Sequence, residues 1–226
     1  MSTTPLTLSF AGQQPPIALP QVPGTRGPVG VDMRGLNQSG FCSYDPGFAN
    51  TAGCQSAISW IDTENSVLLH RGYPVDQLAR QCDFLEVAYI MLNGDAPDEA
   101  SYQTFRETIT RHTLVHEQIA RMCSGFRRDS HPMALMCALV GALAAFYHDV
   151  LDVENPQHRA LAATRLLSKM PTIAAMSYKY TIEQPAAYPR NDLSYAGNFL
   201  QMLFAIPAEK YVLNPVIEQA MNQILV

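Results

Sequence analysis

Hydrophobic positions along this chain change their period once, near residue 71. Before it, apolar and polar residues alternate in short runs, Leu6-Thr7-Leu8-Ser9-Phe10 and Ala57-Ile58-Ser59-Trp60-Ile61, set apart by Pro and Gly. A period of two puts one strand face against a core, so these runs predict short strands and hairpins. Asp45-Pro46-Gly47 and Asp62-Thr63-Glu64-Asn65 supply turns between them, with Val67-Leu68-Leu69 as a return strand. After Arg71-Gly72-Tyr73-Pro74 the pattern becomes helical. It predicts helices over 75–80, 83–92 closed by Gly94, 98–110 with Pro97 at its start, 114–126, 132–150, 158–180 interrupted near Pro171, 193–204, and from Pro215 onward. The expected fold is mainly α: a small β-rich region over residues 1–70, then a large α-helical domain over 71–226 packed by ridges and grooves.

Two helices add detail. Residues 133–147 read MALMCALVGALAAFY, shorter than the roughly 20 residues that span a bilayer. His131 on one side and His148-Asp149 on the other close the run, so a buried core helix is predicted and no membrane span. In the last helix Asn214 is a fitting N-cap and Pro215 a fitting first residue, with Ile217, Met221, Ile224 and Leu225 on one apolar face. That face runs into Val226 without a Gly or a basic last turn, which leads us to expect further protein over it and a chain that is the front part of something larger.

Composition narrows the function classes. With 226 residues, 47% hydrophobic and 15% charged, the chain can bury a sizeable core. A net charge of −5 offers no broad basic field for nucleic acid or an anionic membrane. Cys42, Cys54, Cys82, Cys123 and Cys137 lie at uneven spacings with no CxxC pair, as expected of reduced cytosolic thiols. The start, Met1-Ser2-Thr3-Thr4-Pro5, lacks the basic and apolar parts of a signal peptide. A cytoplasmic protein is expected.

Three groups carry candidate chemistry. His112 and His116 stand four apart, a ligand spacing on one helix, but Thr113 occupies the place where a zincin has Glu, so no metal site is predicted. Arg127-Arg128-Asp129-Ser130-His131-Pro132 fits either anion binding at a helix start or a cap made by Asp129 or Ser130 with an Arg partner. Tyr147, Arg165, Lys169, Tyr178 and Lys179 place basic and aromatic groups on two neighbouring helices. Arg165 and Lys169 are one turn apart and share a face, which could grip phosphates while a ring stacks on a base; a solvated basic face is the default reading. The sequence has no nucleophile elbow, Walker loop or GxGxxG element. Residue patterns alone give a large helical domain without an assigned role.

Longer motifs say more. DPGF (45–48), LLHRGYPVDQLA (68–79), TRHT (110–113), FRRDSHPMALMCALVGALAAFYHD (126–149) and YPRNDLSYAGNFL (188–200) closely resemble citrate synthase, in its long-chain bacterial type II form. The resemblance runs from about Leu6 across essentially the whole chain. It implies a family that joins acetyl-CoA to oxaloacetate, giving citrate and free CoA in the tricarboxylic acid cycle without a cofactor for the chemistry. A His and an Asp make the enol of acetyl-CoA, and a second His polarises the oxaloacetate carbonyl. In the family these residues lie later, in HADHEQN-type and GPAHGG-type segments that have no match here. None of the six histidines, at 70, 112, 116, 131, 148 and 158, sits in a matching motif. The expectation is therefore no catalytic residue in this chain and no activity from it alone.

The resemblance also implies an allosteric NADH site, carried onto Arg111, His112, Thr113, Tyr147, Arg165, Lys169 and Asn191. Ala208 stands where some relatives have a regulatory Cys, and Leu114 where a Met is found, so thiol-dependent inactivation at that position is excluded and NADH affinity altered. The family forms homo-oligomers, dimers or hexamers of the full-length enzyme. Three readings follow: an incomplete citrate synthase, which is preferred; one half of a split enzyme; or a non-catalytic subunit that binds NADH or assembles with the full-length enzyme. A parent enzyme using propionyl-CoA remains open, though the type II motifs favour acetyl-CoA.

Overall fold

The computed structural model describes residues 4–12 and 15–226 and divides into two compact units, residues 1–68 and 69–226. The leader reading of Met1, Ser2 and Thr3 falls outside the described residues.

In the first unit the alternating pattern makes strands of two to four residues. β1 (Leu6–Leu8) pairs antiparallel with β2 (Ile17–Leu19), and β3 (Gln21–Val22) with β4 (Gly30–Val31). A 3-10 turn over Met33–Ser39 follows, capped by the Asp32 carboxylate and ended by Gly40 at φ 79°. The Asp45 carboxylate accepts from the Ala49 and Asn50 amides, while Gly47 supplies the positive φ of 78° that the turn requires. β5 (Ser59–Asp62) ends in an Asx-type turn, in which Asp62 accepts from the Glu64 and Asn65 amides. Among its described residues only Leu19 and Leu36 are buried, which explains why alternation here yields hairpins and turns rather than a broad sheet.

The second unit is helical. It opens with the end of β6 (Val67–His70) returning as β7 (Tyr73–Pro74), through a two-residue turn with φ 51° at Arg71 and 94° at Gly72. Such a turn matches the right-handed twist of its strands, and the Arg71 guanidinium holds it by donating twice to the Met91 carbonyl, at 3.2 and 2.9 Å.

Helices α1 (Val75–Gln81), α2 (Phe84–Asn93), α3 (Glu99–Arg111), α4 (Glu117–Met122), α5 (Pro132–Phe146), α6 (Pro156–Thr181), α7 (Tyr195–Phe204) and α8 (Pro215–Leu225) follow. Their starts are chemically marked. Asp83 and Glu86 make a reciprocal capping box on α2, and Asp98, Asn155, Ser194 and Asn214 cap α3, α6, α7 and α8. Gly94, at φ 100°, ends α2.

The core gathers around α6, which packs against α3, α5 and α7. Ile119 and Cys123 meet Leu139, Leu143, Ile173 and Met176 in one cluster, and Leu78, Val87 and Ile90 form a second with Val226 against it. α8 is fastened to the α1–α2 junction by Asn222, whose side chain accepts from the Phe84 amide at 2.8 Å and donates to the Cys82 carbonyl at 3.3 Å.

Five expectations need correction. The break near Pro171 does not occur: α6 runs unbroken for 26 residues with Pro171 buried inside it. Proline has no N–H for the carbonyl four residues back, and the Tyr195 hydroxyl replaces it by donating to the Leu167 carbonyl at 2.8 Å. The helix expected from 114 begins at Glu117, and the one expected to reach 150 ends at Phe146, because Tyr147 turns to φ −132°, ψ 33°. The 133–147 segment is only partly a buried core helix: Leu135, Leu139 and Leu143 are buried, but Met133 and Cys137 are exposed. On α8, Met221 and Leu225 are half-buried while Ile217 and Ile224 are exposed, so the expected single face splits. No described helix is long and apolar enough to cross a membrane.

Candidate functional site

Six of the seven candidate residues lie on three neighbouring segments: the last residue of α3 with the α3–α4 linker, the end of α5 and the middle of α6. Thr113 is buried on that linker, between the exposed side chains of His112 and Leu114. The linker is held through its own carbonyls. Lys169 donates to the His112 carbonyl at 2.7 Å and the Leu114 carbonyl at 2.6 Å, and the Thr172 hydroxyl donates to the Thr113 carbonyl at 2.8 Å. Three successive carbonyls thus face α6, which is why the backbone cannot continue as a helix there.

Tyr147 closes the site from α5. Its ring lies under the Arg165 guanidinium, 4.3 Å from carbon to centroid, with the Lys169 ammonium 5.7 Å from the same centroid. A guanidinium over an aromatic face is attracted by the ring quadrupole. Nη1 of Arg165 is buried and has no hydrogen-bond partner among the described residues. Burial, and then the neighbouring Arg165 charge, hold the Lys169 ammonium below its ordinary pKa. At the end of α3, Arg111 pairs with Glu107 at 3.2 Å with both side chains largely exposed, and the His112 ring contacts the Thr108 carbonyl through Nδ1 at 2.7 Å.

The structure separates some groups that the sequence put together. Asn191 lies in the exposed turn before α7, and among the described residues no hydrogen bond joins it to the other six. The solvated basic face is not observed: Lys169 is 4% exposed and Lys179 fully buried. Lys179 serves another junction, donating to Gln184 Oε1 at 2.9 Å and to the Ala205 carbonyl. His112 and His116 are not on one helix. His112 ends α3, and His116 caps α4 by accepting from the Gln118 amide at 3.1 Å. Among the described residues no group of three or more His, Cys, Asp or Glu side chains could hold a metal ion.

In the 127–132 segment Asp129 pairs with Arg127, at 2.9 and 2.6 Å, so neither it nor Ser130 caps α5. His131 caps it instead, accepting from the Met133 amide. Sequence reasoning missed Thr172; the available signal was its place three residues after Lys169, on the same helical face. None of the candidate residues lines the groove of about 790 Å³ between α2, α3 and α6, whose walls include Leu92, Thr104, Phe105 and Ala163.

Comparison with known proteins decides the family. The family model described as citrate synthase, C-terminal domain, matches residues 47–226. The chain belongs to the citrate synthase family. Solved citrate synthases share its fold. That of Pyrobaculum aerophilum is 26% identical with a TM-score of 0.67, over 76% of this chain and 43% of that one. That of Thermotoga maritima is 23% identical with a TM-score of 0.65, over 81% and 46%. That of the thermophilic archaeon Thermoplasma acidophilum, a ternary complex with carboxymethyl coenzyme A and oxaloacetate, is 24% identical with a TM-score of 0.68, over 77% and 44%. The chain thus spans less than half the length of these citrate synthases.

Proposed function

We propose that this chain is part of a citrate synthase of the bacterial type II kind, condensing acetyl-CoA with oxaloacetate and inhibited by NADH at the Arg165–Tyr147 cluster. The family match over residues 47–226 is the observation that supports the reaction class. In this reading the chain supplies scaffold and regulatory contacts, and its 226 residues do not turn over alone. Enol formation needs a His and a carboxylate aligned on one substrate. Here His112, His116 and His131 are engaged at helix ends, and among the described residues no histidine shares a hydrogen bond or ion pair with a carboxylate. Purified chain given acetyl-CoA and oxaloacetate should release no free CoA; steady release would refute inactivity.

For NADH, the donor set is compatible with a dinucleotide. Arg165 and Arg111 supply cations, Tyr147 an aromatic ring, and Arg165 Nη1 a buried donor that an anion would satisfy. Saturable NADH binding, weakened about tenfold or more by Arg165→Gln, is the expected titration result, as for loss of one charge-assisted hydrogen bond. A non-catalytic NADH-binding subunit is the second reading, favoured because the cluster is built within this chain. The same proposal includes a cytoplasmic homo-oligomer. α5 is apolar all round yet leaves Met133 and Cys137 exposed, as a helix with a partner would.

A further inference from the structure

We propose that the groove between α2, α3 and α6 binds a medium-chain carboxylate, with its acyl tail along the trough and its carboxylate at Arg159. This is independent of the condensation reaction and of the NADH reading, since none of the residues assigned to NADH lines the groove.

The opening of about 790 Å³ is set by small side chains. Ala100, Thr104 and Thr108 recur every fourth residue on α3, and Ala160, Ala163 and Thr164 line the α6 side. The walls run from Ala100 to Thr108 and from Pro156 to Thr164, so the trough is about 12 Å long at the helical rise per residue. That is the reach of a medium-chain acyl group. Its polar atoms are already engaged. The hydroxyls of Thr104, Thr108 and Thr164 donate to the carbonyls four residues before them, at 2.9, 2.8 and 2.9 Å, and the Asn93 side chain donates to the Tyr89 carbonyl at 3.0 Å. What the walls offer a ligand is therefore methyl and ring surface. Tyr89 and Phe105 meet edge to face at 5.5 Å, and Leu92, 49% exposed, borders them.

Charge supplies the direction. Among the described residues that line the groove, Arg159 alone is charged. Its Nη1 is anchored to the Val153 and Glu154 carbonyls at 2.7 and 3.0 Å, while Nε and Nη2, without partners among the described residues, are placed to take a carboxylate. Lys169 on α6 meets the linker just past the end of α3, so the two helices run in the same direction. Arg159 and Ala100 thus share one end of the trough, and Thr108 and Thr164 the other. A carboxylate held at Arg159 leads its tail along the small-residue walls. Asp98, at the same end, is committed to the Ser101 amide at 2.7 Å, so an anion there needs Arg159 as its counter-ion.

Calorimetric titration of the full 226-residue chain with hexanoate, octanoate, decanoate and the uncharged octanol tests this. Affinity should rise about fourfold for each methylene added from hexanoate to decanoate. Arg159→Gln should weaken octanoate about threefold to fivefold, the effect of losing one exposed ion pair, and leave octanol unchanged. Ala160→Leu and Thr104→Leu fill the trough from opposite walls at exposed positions, and each should remove binding of both. Amide hydrogen exchange on the wild-type chain locates the site without any variant: octanoate should slow exchange over residues 100–108 and 156–164. No saturable octanoate binding, an affinity indifferent to chain length, or protection confined to other helices would overturn the proposal. Equal losses of octanoate and octanol in Arg159→Gln would overturn it too. An assembly of the ligand-free chain that Ala160→Leu and Thr104→Leu both disrupt in sedimentation, without octanoate binding, would give the groove to a second copy instead.

Discussion

Replacing Tyr195 by Phe removes one hydroxyl and leaves the ring, which lies tilted by 34° against Phe84 at 4.8 Å between centroids. That hydroxyl donates at 2.8 Å to the Leu167 carbonyl, the one that Pro171 leaves open inside α6. Without it the carbonyl loses its donor in a packed helix–helix seam, a loss of about 1–2 kcal/mol. In urea unfolding with a slope of about 2–3 kcal/mol per molar, the midpoint should fall by about 0.5 M with the slope unchanged. The decisive control is a double-mutant cycle. Pro171→Ala restores an N–H four residues after Leu167, so in that background Tyr195→Phe should cost less than about 0.5 kcal/mol, a coupling of about 1 kcal/mol. Equal cost in both backgrounds would refute the idea that Tyr195 replaces the missing proline donor.

Two further outcomes are expected. Leu139→Ala empties a fully buried site where α4, α5 and α6 meet and should destabilise the chain by about 2–5 kcal/mol in urea unfolding; a loss below about 1 kcal/mol would contradict that core. Burial raises the Tyr195 phenol above its ordinary value of 10.0, so the folded state favours the neutral form. The resulting stability is complete below pH 10.0 and declines above it, as the unfolded chain ionises first. The stability advantage of wild type over Tyr195→Phe should therefore shrink as pH rises past that value, and an advantage that grows instead would contradict the burial of the phenol.

Where local chemistry decided the structure, the sequence was easy to read. Asn214 caps α8, Pro215 begins it, and Gly94 ends α2, since each needs only its own neighbours. What escaped the sequence was decided by distant partners. Pro171 is a local breaker, and only a donor from α7 lets the helix pass through it. Leu114 and Val115 fit a helical pattern, but α6 takes the linker carbonyls first. Asp129 is a better cap than His131 by type, yet Arg127 draws it away. The candidate site shows the same division. Spacing put Arg165 and Lys169 on one face, but the burial that sets their different chemistry comes from Tyr147 and the linker, which no spacing on α6 reveals.

The hydrogen bond from Tyr195 to Leu167 also has a consequence in time. A helix forms within about a microsecond, whereas synthesis adds roughly 5–20 residues per second. Tyr195 lies 28 positions after Leu167, so the growing chain carries α6 with one ladder position open for roughly 1–6 seconds before its donor is made. Over that interval α6 is weakest where α7 will later dock. The order of the residues therefore makes α7 the element that completes α6, and ties the maturation of the central helix to the arrival of the next.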